Sequence, residues 1–294
     1  MIPVLILFGM LLLLLLLYLG AIMPRMFNRP GDSAFTGFLY AHRGLYDNQA
    51  GIPENSLAAF RRAAEHGYGI ELDVQLTKDK IPVILHDFTL KRMARFDKGH
   101  ESEGAQINED GSLGVPGRVS DYTYAELQQF HLLDSTERIP LFTDVLKLVN
   151  GRVPLIVEIK SEDRDMTVCE HTQRILRAYG GPYCVESFNP LVLSWYRRHA
   201  DRVFRGQLSE AFAREDASYG GLRYKILEYL LLNFLSKPDF IAYNHKYADN
   251  LSRGLCCNLF RARAVYYTVK SQADLDRLRR GGGLVIFEGF MPDR

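Results

Sequence analysis

Surplus charge of either sign, cysteine and tryptophan are what this chain has little of. Its 294 residues hold 36 Lys+Arg against 35 Asp+Glu, so no net field draws in a polyanion, and nucleic acid is not an expected partner. Four cysteines, Cys169, Cys184, Cys256 and Cys257, show no metal-ligand spacing. An adjacent Cys–Cys pair also makes a poor disulfide framework, so all four are expected to be reduced and mostly buried. No supersecondary unit repeats, and the only low-complexity stretch is a run of leucine. Partners have to be sought in local features.

The first such feature is itself an absence. No charged side chain occurs from Met1 to Met23, and Leu11 to Leu17 is unbroken leucine. Some 22 residues of helix reach roughly 33 Å, enough for a hydrocarbon core of about 30 Å. A cleaved leader would carry Lys or Arg before a shorter apolar run and end in a small-x-small site. A buried core helix would show a polar face. The expectation is a membrane anchor over 1–23, with the lipid bilayer as partner, then a short polar linker over 24–37 containing Pro30, Gly31 and Ser33. Arg25 and Arg29 follow the span and place the body on the cytoplasmic side, giving a single-pass membrane protein.

Beyond residue 37, short apolar runs alternate with helical patterns. Strands are expected over Phe38–Gly44, Gly69–Leu76, Pro154–Lys160, Tyr183–Phe188, Phe204–Ser209, Phe240–Asn244, Ala264–Val269 and Leu284–Phe287. Ile81–His86 follows Leu76 too closely for a parallel crossover and should fold back as a hairpin arm. Helices are expected over Leu57–His66, capped by Asn55 or Ser56, and over Thr143–Val149, Leu191–His199, Leu222–Leu235 and Gln272–Arg280, with another starting at Ser120. Eight strands in βα alternation close as an α/β (β/α)₈ TIM barrel over 38–294. The glycine- and acid-rich stretch Arg95–Ser120 marks a small insertion, about 88–120, after the hairpin.

In such a barrel the chemistry gathers at the C-terminal ends of the strands. His42 and Arg43 end the first strand, Glu71 and Asp73 lie late in the second, His86 ends the hairpin arm, and Glu158 and Lys160 close the run Pro154–Lys160. Strand residues i and i+2 share a face, so Glu71 pairs with Asp73 and Glu158 with Lys160. Three carboxylates on buried strands repel one another and lose hydration. One divalent cation, Mg²⁺ or Ca²⁺, resolves that conflict. Arg43 and Lys160 supply fixed positive charge for a phosphate. His42 and His86 can carry protons near neutrality. Acids for a cation, cations for an anion and two proton carriers describe metal-assisted phosphodiester cleavage.

These residues resemble the glycerophosphodiester phosphodiesterase family. The likeness runs through Ala41-His42-Arg43-Gly44, Pro53-Glu54-Asn55-Ser56, Ile70-Glu71-Leu72-Asp73-Val74, Val83-Ile84-Leu85-His86-Asp87, Val157-Glu158-Ile159-Lys160 and Ser187-Phe188-Asn189-Pro190. It implies a barrel fold, His42 and His86 as the acid/base pair, Glu71, Asp73 and Glu158 as metal ligands, and Arg43 and Lys160 on the substrate phosphate. It also implies hydrolysis of glycerophosphodiesters to glycerol 3-phosphate and an alcohol through a cyclic phosphate. Glu54 and Asn55 fall at the edge of the site. The chain departs from the pattern at Tyr267-Thr268-Val269-Lys270, at Gly282–Glu288 and at Lys80, where a turn glycine is common. Rival readings are a lysophospholipase D that takes lysophospholipids from the membrane, and an inactive membrane-anchored scaffold. A further apolar run, Ile226–Leu235, is read as burial between barrel helices, with a membrane-resting surface as its alternative.

Overall fold

The structure, a computed structural model, describes residues 2–97, 106–108 and 111–293. In chain order the strands are β1 (Leu39–Ala41), β2 (Gly69–Leu76), β3 (Pro82–Ile84), β4 (Ala94–Phe96), β5 (Gln106–Ile107), β6 (Leu113–Gly114), β7 (Phe130–Leu132), β8 (Leu155–Ile159), β9 (Tyr183–Ser187), β10 (Arg205–Ser209), β11 (Phe240–Asn244), β12 (Arg263–Val269) and β13 (Leu284–Phe287). The main sheet runs β1-β13-β12-β11-β10-β9-β8-β2, and β1 also pairs with β2. That last pairing closes an eight-stranded parallel barrel, as the alternation predicts. β3 pairs antiparallel with β2 as the expected hairpin arm, with Val74 opposite Ile84.

The strand β2 shows why the barrel forms. Ile70, Leu72 and Val74 pack outward against Phe60 and Ala63 of the helix Leu57–Glu65 and Phe142 and Val145 of the helix Phe142–Val149. Its alternate residues Glu71, Asp73 and Gln75 are also buried and turn to the other face. The barrel interior is plugged by Tyr40, Ile156, Cys184, Phe240, Val265 and Ile286. Gly206 makes room for this plug, because a Cβ there would meet the Phe240 ring at 1.9 Å. Ser56, one of the two cap candidates, takes the role: its hydroxyl accepts from the Ala59 amide.

Several elements differ from expectation. The run Leu222–Leu235 is two helices, Leu222–Glu228 and Asn233–Ser236, separated where Leu230 takes φ +56°. Burial explains the break: the turn folds Leu230 inward against Ile22, which a straight amphipathic helix could not do. The segment beginning near Ser120 is a 3-10 turn, Val119–Asp121, followed by a single helical turn, Tyr124–Leu127, with a Thr123/Glu126 capping box. A helix over Thr167–Leu176, absent from the sequence reading, connects β8 to β9. Outside the barrel, β4 pairs with β7 and β5 with β6. Ala94 of β4 and Phe130 and Leu132 of β7 join Val83, Leu85, Leu90, Val115 and Ile139 in a separate small core. All four cysteines are free thiols.

The N-terminal helix α1 (Ile2–Ile22) is apolar and long enough to cross a membrane, and its residues from Val4 to Leu17 are exposed. Its last turn docks on the barrel. Ile22 is fully buried with Leu230, Ile241, Tyr243, Cys256 and Ala262. The following segment is held as well: Arg25 pairs with Asp201 at 2.8 Å, and Phe35 is buried against Phe204.

Candidate active site

The strand register gathers the acids. Asp73 on β2 lies opposite Glu158 on β8, and Glu158 lies opposite Glu186 on β9. Glu71 stands one side-chain layer below Asp73. Glu71, Asp73 and Glu158 offer carboxylate oxygens that all lie within 4.8 Å of one another, and all three residues are buried. Burial, followed by the neighbouring carboxylates, pushes the Glu71 and Glu158 acids above their ordinary values. Burial acts in the same direction on Asp73, but His86, Lys160 and Arg43 outweigh it and hold that carboxyl low.

The chain enters the site from β1 through a strained turn. Arg43 and Gly44 take φ +57° and +84°, and a Cβ on Gly44 would stand 2.9 Å from Ala59 backbone and side-chain atoms. This turn aims the Arg43 amide at Glu71 Oε2, 3.0 Å away, and swings the guanidinium over the acids. Arg43 Nη1 donates to Glu54 Oε1 at 2.6 Å, and its Nε lies 3.8 Å from Asp73 Oδ2 with no hydrogen-bond acceptor. Lys160 Nζ stands 3.0 Å from Glu158 and 3.6 Å from Asp73.

The two histidines border this cluster. His42 Nε2 is 3.9 Å from Glu71 Oε2, while its Nδ1 bonds to Glu288. Burial and the Arg43 charge lower the His42 imidazole pKa, favouring the neutral ring. His86 Nδ1 bonds to Asp87 Oδ1 at 2.7 Å. All seven residues singled out from the sequence therefore meet at one end of the barrel.

Others at the same end were missed or left at the margin. Glu288 could have been found from register: Ala41 pairs with Phe287 across β1 and β13, so the next residues, His42 and Glu288, are neighbours. Lys270 reaches Glu288 at 2.6 Å. Asn55 Nδ2 donates to Asp73 Oδ2 at 2.9 Å, and Arg92 clamps both Glu54 and Asp87. Glu186 is buried with Oε2 unpartnered, and burial with the nearby Glu158 raises its pKa well above the ordinary range. Only its place opposite Glu158 gives it away, since Cys-Val-Glu-Ser has no motif character.

The donor set suits a hard cation. Carboxylate oxygens alone converge, Asp73 Oδ1 is buried without a hydrogen-bond donor, and two of the three acids are destabilised as anions. A divalent ion seated between them would relieve the repulsion and keep all three ionised.

Comparison with known proteins agrees with this geometry. The model of the glycerophosphoryl diester phosphodiesterase family matches residues 42–287. A glycerophosphodiester phosphodiesterase of Bacillus altitudinis is 35% identical over 129 residues, covering 42% of this chain and 44% of that protein. One from Caldanaerobacter subterraneus subsp. tengcongensis is 37% identical over 129 residues, covering 41% and 44%. The chain thus spans less than half the length of these two curated relatives. The structure of an Oleispira antarctica phosphodiesterase in complex with the product sn-glycerol-3-phosphate superposes with a TM-score of 0.64 at 21% identity, covering 86% of this chain and 93% of the other. At that identity the likeness is one of fold.

Proposed function

The chain belongs to the glycerophosphoryl diester phosphodiesterase family, and on that premise we propose that it hydrolyses glycerophosphodiesters to glycerol 3-phosphate and an alcohol. The observation that carries this reading is the buried Glu71–Asp73–Glu158 cluster, ringed by Arg43 and Lys160 and flanked by His42 and His86. These three carboxylates would hold one divalent cation, Mg²⁺ or Ca²⁺. When bound, the ion supplies Lewis-acid charge at the phosphate oxygens.

The protein's own groups do the rest. Arg43 Nε, buried and without an acceptor, is placed to donate to a phosphate oxygen, and Lys160 adds a second fixed charge. His42, neutral and oriented through Nδ1 by Glu288, accepts a proton at Nε2 from the attacking hydroxyl. His86, oriented by Asp87, gives a proton to the leaving oxygen. A hydroxyl on the glycerol next to the phosphate attacks first, and water opens the resulting cyclic phosphate with the two roles exchanged.

The helix α1 serves as a membrane anchor in this reading. Ile22 fills an apolar site on the barrel and Tyr18 Oη bonds Ser252 Oγ at 2.7 Å, so removal of a leader would uncover Ile241, Tyr243 and Cys256. The barrel lies on the cytoplasmic side if Arg25 and Arg29 report topology; both are also held by the barrel, Arg25 by Asp201 and Arg29 by the Arg261 carbonyl. The anchor favours one further substrate, a lysophospholipid drawn from the same membrane.

Release of glycerol 3-phosphate from glycerophosphocholine by the full-length protein in detergent tests the assignment. Excess EDTA is expected to abolish turnover and Mg²⁺ or Ca²⁺ to restore it. His42→Ala is expected to lower kcat by about 10² to 10⁴-fold, and Glu71→Ala at least as much, with the fold intact by circular dichroism. Normal turnover by either variant would refute the reading.

A further inference from the structure

The direction in which α1 leaves the barrel fixes which face of the enzyme meets the membrane. Between β11 and β12 the chain returns from the C-terminal rim of the barrel to its base through Leu251–Gly254 and Leu255–Leu259. The last turns of α1 lie beside this return and descend with it. Tyr18 Oη bonds Ser252 Oγ at 2.7 Å near the rim, the Ile22 carbonyl accepts from Cys256 Sγ at 3.2 Å midway, and the Arg25 amide donates to the Pro238 carbonyl at 3.0 Å just before β11 begins. Residues before Tyr18 therefore project beyond the rim that carries Glu71, Asp73 and Glu158, not beyond the base.

The surface of that rim adds a second observation: Leu222 is 77% exposed, Leu251 66% and Tyr219 42%. Arg214 lies over the Tyr247 ring and Arg223 over the Tyr224 ring. Exposed leucines among tyrosines and arginines match the apolar and headgroup layers of a bilayer.

We infer that the catalytic mouth faces the bilayer that α1 spans, with Leu222, Leu251 and Tyr219 seated in its surface. The active site then receives its diester from the membrane side, so its natural substrate class is a glycerophosphodiester carrying an acyl chain. The substrate part of this inference rests on the phosphodiesterase reaction proposed above; the orientation rests only on the anchor role proposed there for α1.

Two measurements separate them. The full-length protein, as Leu222→Trp, Leu251→Trp or Arg177→Trp, is reconstituted into phosphatidylcholine–phosphatidylglycerol vesicles with or without brominated acyl chains. Trp195, buried at the barrel flank, contributes a constant background. Brominated lipid is expected to quench the two rim tryptophans and spare the one at Arg177, on the base. Quenching at Arg177 instead, or at none of the three, overturns the orientation. In the second measurement, Leu222→Asp/Leu251→Asp is expected to slow hydrolysis of vesicle-borne lysophosphatidylcholine about tenfold or more, because two charges replace inserted apolar groups. Its rate on water-soluble glycerophosphocholine should match the parent. Equal losses on both substrates overturn the membrane-side route. Full quenching with no activity on either substrate by the parent protein overturns the proposed reaction and leaves the orientation standing.

Discussion

At the scale of single residues, the site is organised by partners of the histidines as much as by the histidines. His42 is fixed by Glu288, and Glu288 is in turn held at 2.6 Å by Lys270. Both partners lie in the segments where the chain departs from the family pattern, so the departures fall beside the chemistry and not at random. If Glu288 orients the imidazole, Glu288→Gln keeps a hydrogen-bonding atom but loses the charge that stabilises a protonated ring. It is expected to lower kcat by about tenfold to 10²-fold with little change in KM. A proportional rise in KM with kcat unchanged would instead make Glu288 a substrate-binding group. Glu186 gives a second residue-scale prediction. Burial raises its folded pKa above the unfolded value of about 4.3, so the unfolded chain ionises first as pH rises. Its contribution to stability is complete below that value and is lost as pH climbs toward the folded pKa. In chelator, Glu186→Gln should therefore show a shallower fall in melting temperature between pH 5 and pH 8 than the parent.

Elements position these residues through turns that the sequence states only obscurely. The loop after β1 places Arg43 and Gly44 consecutively in the left-handed region, with no room for a Cβ on Gly44 against Ala59. Gly44→Ala combines backbone strain with overpacking and is expected to cost about 2–5 kcal/mol. It would displace Arg43 from Glu71 as well, so thermal denaturation and turnover should fall together. Lys80 at φ +62° explains the other departure: the hairpin turn keeps its left-handed geometry without glycine. The broken helix between Leu222 and Ser236 follows from the same competition. Its apolar run suits a continuous helix, but turning at Leu230 buries that side chain against Ile22, and packing outweighs local propensity.

On the scale of the whole molecule, barrel closure decides which strand ends become neighbours, and the docked end of α1 adds to the packed body of the closed barrel. β1 joins both β2 and β13, so His42 touches Glu71 on one side and Glu288 on the other. The apolar site for Ile22 makes α1 part of the folded body. Removing residues 1–23 would expose Ile241, Tyr243 and Cys256 and lose a burial worth several kcal/mol. Melting in detergent is then expected roughly 10 °C lower than for the full chain. An unchanged midpoint would mean that the helix and the barrel are independent.

The sequence by itself determined the alternation of strands and helices, the hairpin arm and the position of the seven candidate residues at strand ends, because these depend on local periodicity and on short motifs. β2 could be read as buried with acids on one face from Gly-Ile-Glu-Leu-Asp-Val alone, since a period of two is a property of the strand. Tertiary structure alone decided the pairing of His42 with Glu288, the place of Glu186 opposite Glu158, and the break at Leu230. Each depends on contact between segments far apart in the chain, which closure of the barrel or docking of α1 brings together. The direction of α1 past the rim that carries Glu71, Asp73 and Glu158 belongs to the same class: a leucine run states that a helix is long and apolar, and only its packing against Ser252 and Cys256 states which way it points.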